Sequence, residues 1–129
     1  PYSYTWTAYD SNGNVVASAS GTSAAPGAVP AFDFSAPDDG TFTIRLVVRD
    51  RLGATGSDET TFTAANVAPA PVISGPATLD EGDSVTYTGS FTDPAGANDG
   101  PYTYTWTITD STGAVVRTVT GTVAAPGTV

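Results

Sequence analysis

The sequence predicts an all-β fold, built as antiparallel β-sandwich repeats, on three observations. Large apolar side chains alternate with threonines over residues 102–109, and this period of two is typical of a half-buried strand. The 129 residues include 22 threonines, 14 glycines and 10 prolines, which are strand and turn formers rather than helix formers. Turn signals separate seven alternating segments of this kind. We therefore expect no helix longer than one turn.

A long internal repeat predicts the domain organisation. Residues 1–29 and 101–129 are identical at 18 of 29 positions without a gap, so the period is 100 residues. Solenoid units have about 20 to 50 residues, whereas a period of this length suits a string of sandwich domains. We expect residues 1–66 to be the C-terminal part of one repeat and residues 67–129 the N-terminal part of the next. Because the sequence contains no methionine, we expect it to be an internal part of a longer protein.

The first half of the chain is predicted to form strands joined by short turns. Residues 41–50 make the longest predicted strand, and the turn at 37–40 before it ends on a glycine that is free to take positive φ. The inward residues of that strand are Phe42, Ile44, Leu46 and Val48. The other predicted segments are strands at 2–9, 14–20 and 57–64, an alternating stretch at 31–35 with Phe32 and Phe34 inward, and a hairpin loop at 51–56.

The second half begins with a proline-containing linker over residues 66–71, which is short and semi-rigid. A strand at 84–92 is predicted to place Val85, Tyr87, Gly89 and Phe91 on one face. The remaining segments are the apolar pair Val72-Ile73, a predicted turn at 75–76, an acidic turn at 80–83, a polar loop at 93–100 and the strand at 102–109.

An ordered set of short motifs resembles the PKD (polycystic kidney disease-type) domain. The motifs are Asn66-Val-Ala-Pro, Asp80-Glu-Gly-Asp-Ser-Val, Gly89-Ser-Phe-Thr-Asp-Pro94, Tyr104-Thr-Trp106, Asp38-Asp-Gly-Thr-Phe-Thr-Ile44 and Val47-Val-Arg-Asp50. The resemblance covers nearly the whole chain and implies a seven-stranded immunoglobulin-like β-sandwich. In the family's lettering, residues 1–66 then supply strands C, C′, E, F and G, and residues 67–129 supply strands A, B, C and C′.

The chain departs from the family pattern at two places. The Asp-Phe-Gly-Asp-Gly that follows the family's tryptophan is replaced by Thr-Ile-Thr-Asp-Ser-Thr-Gly after Trp106. The family's corner tyrosine is replaced by Phe42, so the hydrogen bond of its hydroxyl is missing. These departures concern the subfamily and leave the expected sandwich unchanged.

The charge and composition exclude several classes of function. Thirteen acidic residues against four arginines, with no lysine, give a net charge of −9, which disfavours nucleic acids and anionic membranes as partners. The absence of histidine and cysteine removes the usual transition-metal sites and most nucleophile and base arrangements. Paired carboxylates such as Asp38 and Asp39 would suit glycoside hydrolysis, but we interpret them as turn residues. We therefore expect no enzyme and no membrane insertion, and an extracellular or cell-surface location.

The aromatic residues of the alternating strands are predicted to be core anchors. Trp6, Phe42, Tyr104 and Trp106 form this set, because immunoglobulin-like sandwiches bury a tryptophan on strand C. The alternative is that both tryptophans are platforms for stacking sugars. The threonine row over residues 103–109 is interpreted as the solvent face of a strand, with a glycosylated or crystal-binding face as the alternative.

Acidic turns are the best candidates for a binding site. Calcium takes about six to eight oxygen ligands from carboxylates, amides and carbonyls. A loop between strands and the incoming linker share one end of a sandwich, and the acidic turn of the preceding repeat faces that end across the junction. The predicted calcium ligands are Asp38, Asp39, Asn66, Asp93, Asn98 and Asp99. The alternative is that these turns are solvated and bind no ion.

The expected function is structural and non-catalytic. The chain is predicted to be a repeat of a long extracellular protein, acting as a spacer or as a building block of a surface fibre, filament or adhesin. The alternative is an accessory carbohydrate- or protein-binding module of a secreted hydrolase. Because each half lacks strands, it leaves an apolar face and open strand edges that readily pair with another chain. We therefore expect the partners to be neighbouring repeats or identical chains, and the alternative is that the two halves of one chain close on each other.

Overall fold

The computed structural model describes residues 1–129 and shows an all-β chain with antiparallel sheets, as the sequence predicts. Its strands are β1 (Tyr2–Tyr9), β2 (Val15–Ser23), β3 (Gly40–Arg49), β4 (Thr55–Ala64), β5 (Ala70–Ser74), β6 (Thr88–Thr92), β7 (Tyr102–Thr109) and β8 (Val115–Val123). The one helix is a single 3-10 turn over Gly96–Asp99. The chain forms no helix with the length and apolar character needed to cross a bilayer.

The chain divides into two compact units, Pro1–Asn66 and Val67–Val129. The first unit holds β1 to β4 and the second holds β5 to β8. Each unit contains one copy of the repeated segment, as the hairpin β1–β2 in the first and the hairpin β7–β8 in the second.

The first unit is one four-stranded antiparallel sheet in the order β2-β1-β3-β4. Strand β1 lies in its interior, where Thr5 pairs with Val47 and Trp6 with Leu46 of β3. The alternation of the sequence therefore places Trp6 and Leu46 on the same face of the sheet. Strands β3 and β4 pair over their full length, from Gly40 opposite Ala64 to Arg49 opposite Thr55.

The core of the first unit is a small cluster of phenylalanines on one face of the sheet. Phe42 is buried, at 4% exposure, and its ring centroid lies 5.4 Å from those of Phe34 and Phe62. Phe32 and Phe34 point to the sheet as the alternation predicts, but residues 31–35 form no strand. This segment covers the sheet through its side chains and pairs with no strand.

Three hairpin loops share one structure that begins at an aspartate. The aspartate carbonyl accepts the N–H of the glycine three residues on, at 3.0 to 3.1 Å, and Oδ1 accepts the N–H groups two and four residues on, at 2.8 to 3.0 Å. The glycines Gly13, Gly53 and Gly113 have φ of 80°, 95° and 85°. A side chain that mimics the backbone turn and a glycine in the left-handed region together fix the hairpin register.

The second unit consists of two antiparallel hairpins, β5–β6 and β7–β8. The last residues of the chain run along β6, where the Phe91 N–H donates to the Gly127 carbonyl and the Val129 N–H to the Gly89 carbonyl, both at 3.0 Å. Phe91 is the buried large residue of this unit, and its ring lies 4.9 Å from that of Tyr102.

Strand β6 is shorter than the sequence predicts, because only Thr88–Thr92 of the expected segment 84–92 pairs with β5. The Tyr87 hydroxyl donates to the Pro76 carbonyl at 2.6 Å instead. Strand β5 ends at Ser74, so residues 84–87 have no backbone ladder to join. The alternation in this stretch therefore predicted too long a strand, because it could not show where the partner strand ends.

Candidate functional site

The predicted calcium ligands of the first unit lie at one end of its sheet. Asp38 and Asp39 precede β3, Asn66 follows β4, and the pairing of Gly40 with Ala64 brings these two chain segments to the same end. The Asp39 N–H donates to Asp38 Oδ1 at 2.8 Å, so one carboxylate oxygen already has a partner in the turn.

The predicted ligands of the second unit lie in the connection between β6 and β7. Asp93 Oδ1 accepts the Ala95 N–H at 2.9 Å, and Asp93 Oδ2 is buried without a hydrogen bond. Asn98 and Asp99 lie in the 3-10 turn. Each unit contributes three of the six residues, whereas calcium takes about six to eight oxygens. The calcium site therefore stays a prediction.

The tryptophan of the first unit has partners in the segment that follows β2. The ring of Trp6 stacks on that of Phe32 with centroids 5.8 Å apart and planes inclined by 7°. Its Nε1–H donates to the Pro30 carbonyl at 3.0 Å. Residues 30–34 thus cover the aromatic face of β1. They give the ring of Trp6 a stacking partner and its Nε1–H a hydrogen-bond acceptor.

The tryptophan of the second unit lies in a groove instead. The groove has a volume of about 350 Å³ and runs between β7 and the hairpin β5–β6. Its lining includes Val72, Ile73, Gly89, Phe91, Tyr104, Trp106 and Val129. Trp106 rests on Gly89, where an added Cβ would lie 2.6 Å from Cζ2 of the ring. Neither its ring nor its Nε1–H has a partner of the kind that Trp6 has.

The two copies of the repeat have the same local structure. Tyr4 pairs with Gly21 and Tyr104 with Gly121, and each tyrosine ring lies over the glycine opposite it. Both hairpins also shift register near the end of their first strand, after Ala8 and after Ile108. Because the two hairpins match in structure as well as in sequence, β1 and β7 present equivalent edges and aromatic faces.

The predicted core anchors differ in burial. Phe42 is buried, whereas Trp6, Tyr104 and Trp106 are half-buried. The sequence identified these four residues but did not predict that Trp106 packs against Gly89 in a groove. Gly89 could have indicated this contact, because it is the one residue without a side chain on the predicted face of segment 84–92, and a large ring needs such a gap.

The two carboxyls whose pKa values are shifted lie in hairpin loops and not in the groove. The Asn14 N–H lowers the pKa of Asp10, and the Thr112 hydroxyl lowers the pKa of Asp110. Both aspartates lie in surface turns, so these shifts report local turn structure rather than a reaction centre. The groove itself is lined mainly by apolar side chains.

Comparison with protein-family models, with curated proteins and with solved structures finds no match to this chain.

Proposed function

We infer that this chain is a non-catalytic structural repeat of a long extracellular protein, which acts as a spacer or as a building block of a surface fibre, filament or adhesin. The observation that carries this proposal is the repeated hairpin. Two units 100 residues apart use the same strand, the same tyrosine–glycine pair and the same aspartate loop. Recurrence of one structural unit is the property of an array.

The finer fold in this proposal is an immunoglobulin-like sandwich of the PKD type. Its support is the ordered set of motifs, together with the sheet order β2-β1-β3-β4, which matches C′-C-F-G in the family's lettering. The hairpin β5–β6 then corresponds to A and B of the second sheet. A complete repeat would therefore combine the strands of the second unit with strands equivalent to β3 and β4.

Two measurements test this function: the number of repeats in the uninterrupted reading frame, and the length of chain released when the long protein is stretched. We expect several copies at a period of 100 residues. When the array is stretched, each repeat should unfold separately and release roughly 330–360 Å of chain, at about 3.3–3.6 Å per residue. Single-molecule force measurements would read this increment directly. One copy beside a catalytic domain, with no series of equal steps, would contradict the proposal.

The accessory binding module is the competing function, and the aromatic lining of the groove is what favours it. A sugar-binding groove combines stacking rings with polar groups that fix the sugar. The test is whether the chain sediments with insoluble polysaccharide and whether Trp106→Ala abolishes this binding without changing the melting temperature. Both results together would favour the binding module over the structural repeat.

A further inference from the structure

We propose that the outer edge of β2 pairs with the same strand of a second copy of this chain, antiparallel and with Ser20 opposite Ser20, and that β8 pairs in the same way at Thr120. Neighbouring arrays then associate side by side through continuous sheets. The inference rests on the proposed structural role and deepens it, because it names the partner and the strands that join two chains.

The outer edge of this strand is open in both copies of the repeat. Strand β2 is the outermost strand in the order β2-β1-β3-β4, and β8 pairs only with β7. Residues 30–129 span one period of 100, so the segments that follow the hairpin in the repeat are present after β2 and those that precede it are present before β8. None of these segments pairs with the outer edge of either strand. The open edge is therefore a property of the repeat.

Strand β2 lacks most of the features by which proteins protect an open edge. Charged side chains, prolines and bulges normally keep an edge strand from pairing with another chain. None of the nine residues of β2 is charged or a proline, and its register shift leaves only Val16, near one end, without a partner on β1. The other edge strand of the same sheet, β4, carries Asp58 and Glu59. Only the β2 edge can therefore approach its own copy without bringing like charges together.

The regular part of β2 is complementary to itself in one register. Residues 17–23 follow the unpaired Val16, and all seven pair when Ser20 lies opposite its copy. On the face away from the aromatic side chains of β1, Ser18 then lies opposite Thr22. Hydroxyls thus meet hydroxyls at every position of that face, and cross-strand pairs of serine and threonine stabilise antiparallel sheets.

Strand β8 has the same complementarity with larger side chains. When Thr120 lies opposite its copy, Thr118 lies opposite Thr122. The single charged residue of the strand, Arg117, lies opposite Val123, so the two arginines are displaced by six residues, or about 20 Å. This separation exceeds the screening length of about 8–10 Å. The arginines therefore do not oppose the pairing.

The tyrosines of the preceding strand support the new pair on the other face. The ring of Tyr4 lies over Gly21, and an added Cβ at Gly21 would lie nearest to the tyrosine hydroxyl. The ring therefore reaches from β1 onto the outermost strand. In the proposed register Ala19 of the second copy lies opposite Gly21, on the face that the ring covers. A side chain of one copy thus packs across the boundary between the two chains.

One pair of edges makes a small contact, and repetition strengthens it. Seven residues form a strip about 23 Å long and about 10 Å thick, or roughly 460 Å² over both partners. Stable specific interfaces bury at least about 1,000 Å², so a single pair should be weak and transient. In an array, the first pair raises the effective concentration of the next, and the avidity grows with the number of repeats. This dependence suits the lateral assembly of long chains.

Single cysteines test the pairing and its register in the intact chain, which has no cysteine of its own. Ser20→Cys should give disulfide-linked dimers under mild oxidation, because directly opposite Cα atoms lie about 4.5–5.5 Å apart, within disulfide reach. Ser18→Cys alone should not, because its copy is displaced by four residues, or about 13 Å. An equal mixture of Ser18→Cys and Thr22→Cys chains should cross-link again, as a dimer with one chain of each kind.

Thr60→Cys is the control for the other edge of the sheet, because it lies exposed in the middle of β4, beside Glu59. The proposal is overturned if this variant, or Ser18→Cys alone, cross-links as fast as Ser20→Cys. It is also overturned if Ser20→Cys yields no dimer at high protein concentration. Each of these results leaves the array proposal intact, because the reading frame and the force measurement test it independently.

Added charge tests the same edges without a cross-link. Ser20→Glu combined with Thr120→Glu places like charges directly opposite each other, which should lower the association constant roughly two- to fivefold at each edge. Ser20→Gln with Thr120→Gln is the matched control, because it has the same size without the charge. Both positions are exposed, so the fold should tolerate either pair. Equal association of the two variants in sedimentation velocity would contradict pairing through these edges.

Discussion

Single side chains fix the turns of this protein by hydrogen bonding to their own backbone. Asp10 and Asp110 each accept two main-chain N–H groups through one oxygen, and Asp110 also accepts the Thr112 hydroxyl at 2.6 Å. An ionised carboxylate is the better acceptor, so these bonds favour the charged form. The same contacts that shape the loops therefore make them sensitive to acid.

We expect the pKa of Asp110 to lie below its ordinary value of 3.8, chiefly because the Thr112 hydroxyl donates to it, and we expect the pKa of Asp10 to be lowered as well. A carboxyl whose pKa is lower in the folded state contributes stability above its unfolded value. That stability is lost as the pH falls from about 4 through the folded value. NMR titration of the carboxyl carbons measures both groups.

Thr112→Val is the matched variant, because it removes the largest cause of the shift at one loop only. The pKa of Asp110 should rise toward 3.8, whereas that of Asp10 should not move. A titration in which Asp110 is indifferent to the loss of the hydroxyl would show that the backbone donors alone account for its shift.

Trp6→Phe should lower the free energy of unfolding at concentrations where the chain is monomeric. The variant loses the bond from Nε1 to the Pro30 carbonyl, which is worth about 0.5–1.5 kcal/mol. Trp106→Phe is the control, because it reduces ring size in the same way but breaks no hydrogen bond within the chain. Urea unfolding of both variants gives the difference, and equal losses would mean that the bond contributes nothing to stability.

Hairpins are the elements whose structure the sequence specifies most fully. Each of the three aspartate loops combines an aspartate, a glycine three residues later and an alternating strand on either side. The turn side chain, the left-handed glycine and the period of two agree on a single register. Strands β1, β3 and β7 accordingly lie within one residue of their predicted bounds.

Gly53→Ala should destabilise the β3–β4 hairpin. Gly53 has φ of 95°, and an added Cβ would lie 3.3 Å from the Arg49 guanidinium. A left-handed alanine costs about 1–2 kcal/mol. Gly56→Ala is the control, because it lies in β4 at negative φ with no atom within 4 Å of the added Cβ, and it should be neutral or slightly stabilising. Thermal unfolding compares the two, and equal melting temperatures would contradict the strained-turn explanation.

The elements that the sequence did not predict well depend on partners distant in the chain. Residues 31–35 alternate like a strand, yet they remain unpaired because no strand of the first unit lies beside them. Residues 84–87 alternate equally well but extend past the end of β5. Periodicity indicates which side chains share a face, whereas both pairing and burial need a neighbour that local sequence does not reveal, and Val85 and Tyr87 accordingly remain exposed.

At the scale of the whole molecule, both units carry excess negative charge. The first has seven acidic residues against three arginines, and the second has six against one, for a net charge of −9. Like charges repel within each compact unit and lower its stability at neutral pH. Dissolved salt screens this repulsion over about 8–10 Å near physiological ionic strength. The free energy of unfolding should therefore rise with the concentration of any salt. Stabilisation by a specifically bound cation must be distinguished from this general screening.

We expect the melting temperature to rise with sodium chloride by screening, and to rise further when calcium replaces sodium at equal ionic strength. The second rise tests the calcium site that the sequence predicts, because a ligand of the folded state stabilises it by mass action. Calcium at about 1 mM is appropriate, since extracellular modules bind it with dissociation constants near 10⁻⁴–10⁻³ M. A chelator should abolish the calcium-specific part and leave the screening part unchanged.

Asp93→Asn and Asp58→Asn separate a bound ion from general screening. Each removes one negative charge, so each should reduce the effect of sodium chloride. Asp93 Oδ2 is buried without a partner, whereas Asp58 lies exposed on β4, and an asparagine at 93 can still accept the Ala95 N–H. Only Asp93→Asn should therefore lose the extra stabilisation by calcium, because it alone removes a predicted ligand. If sodium and calcium give the same curve at equal ionic strength, or if both variants lose the calcium effect alike, the acidic turns act through their net charge and hold no ion.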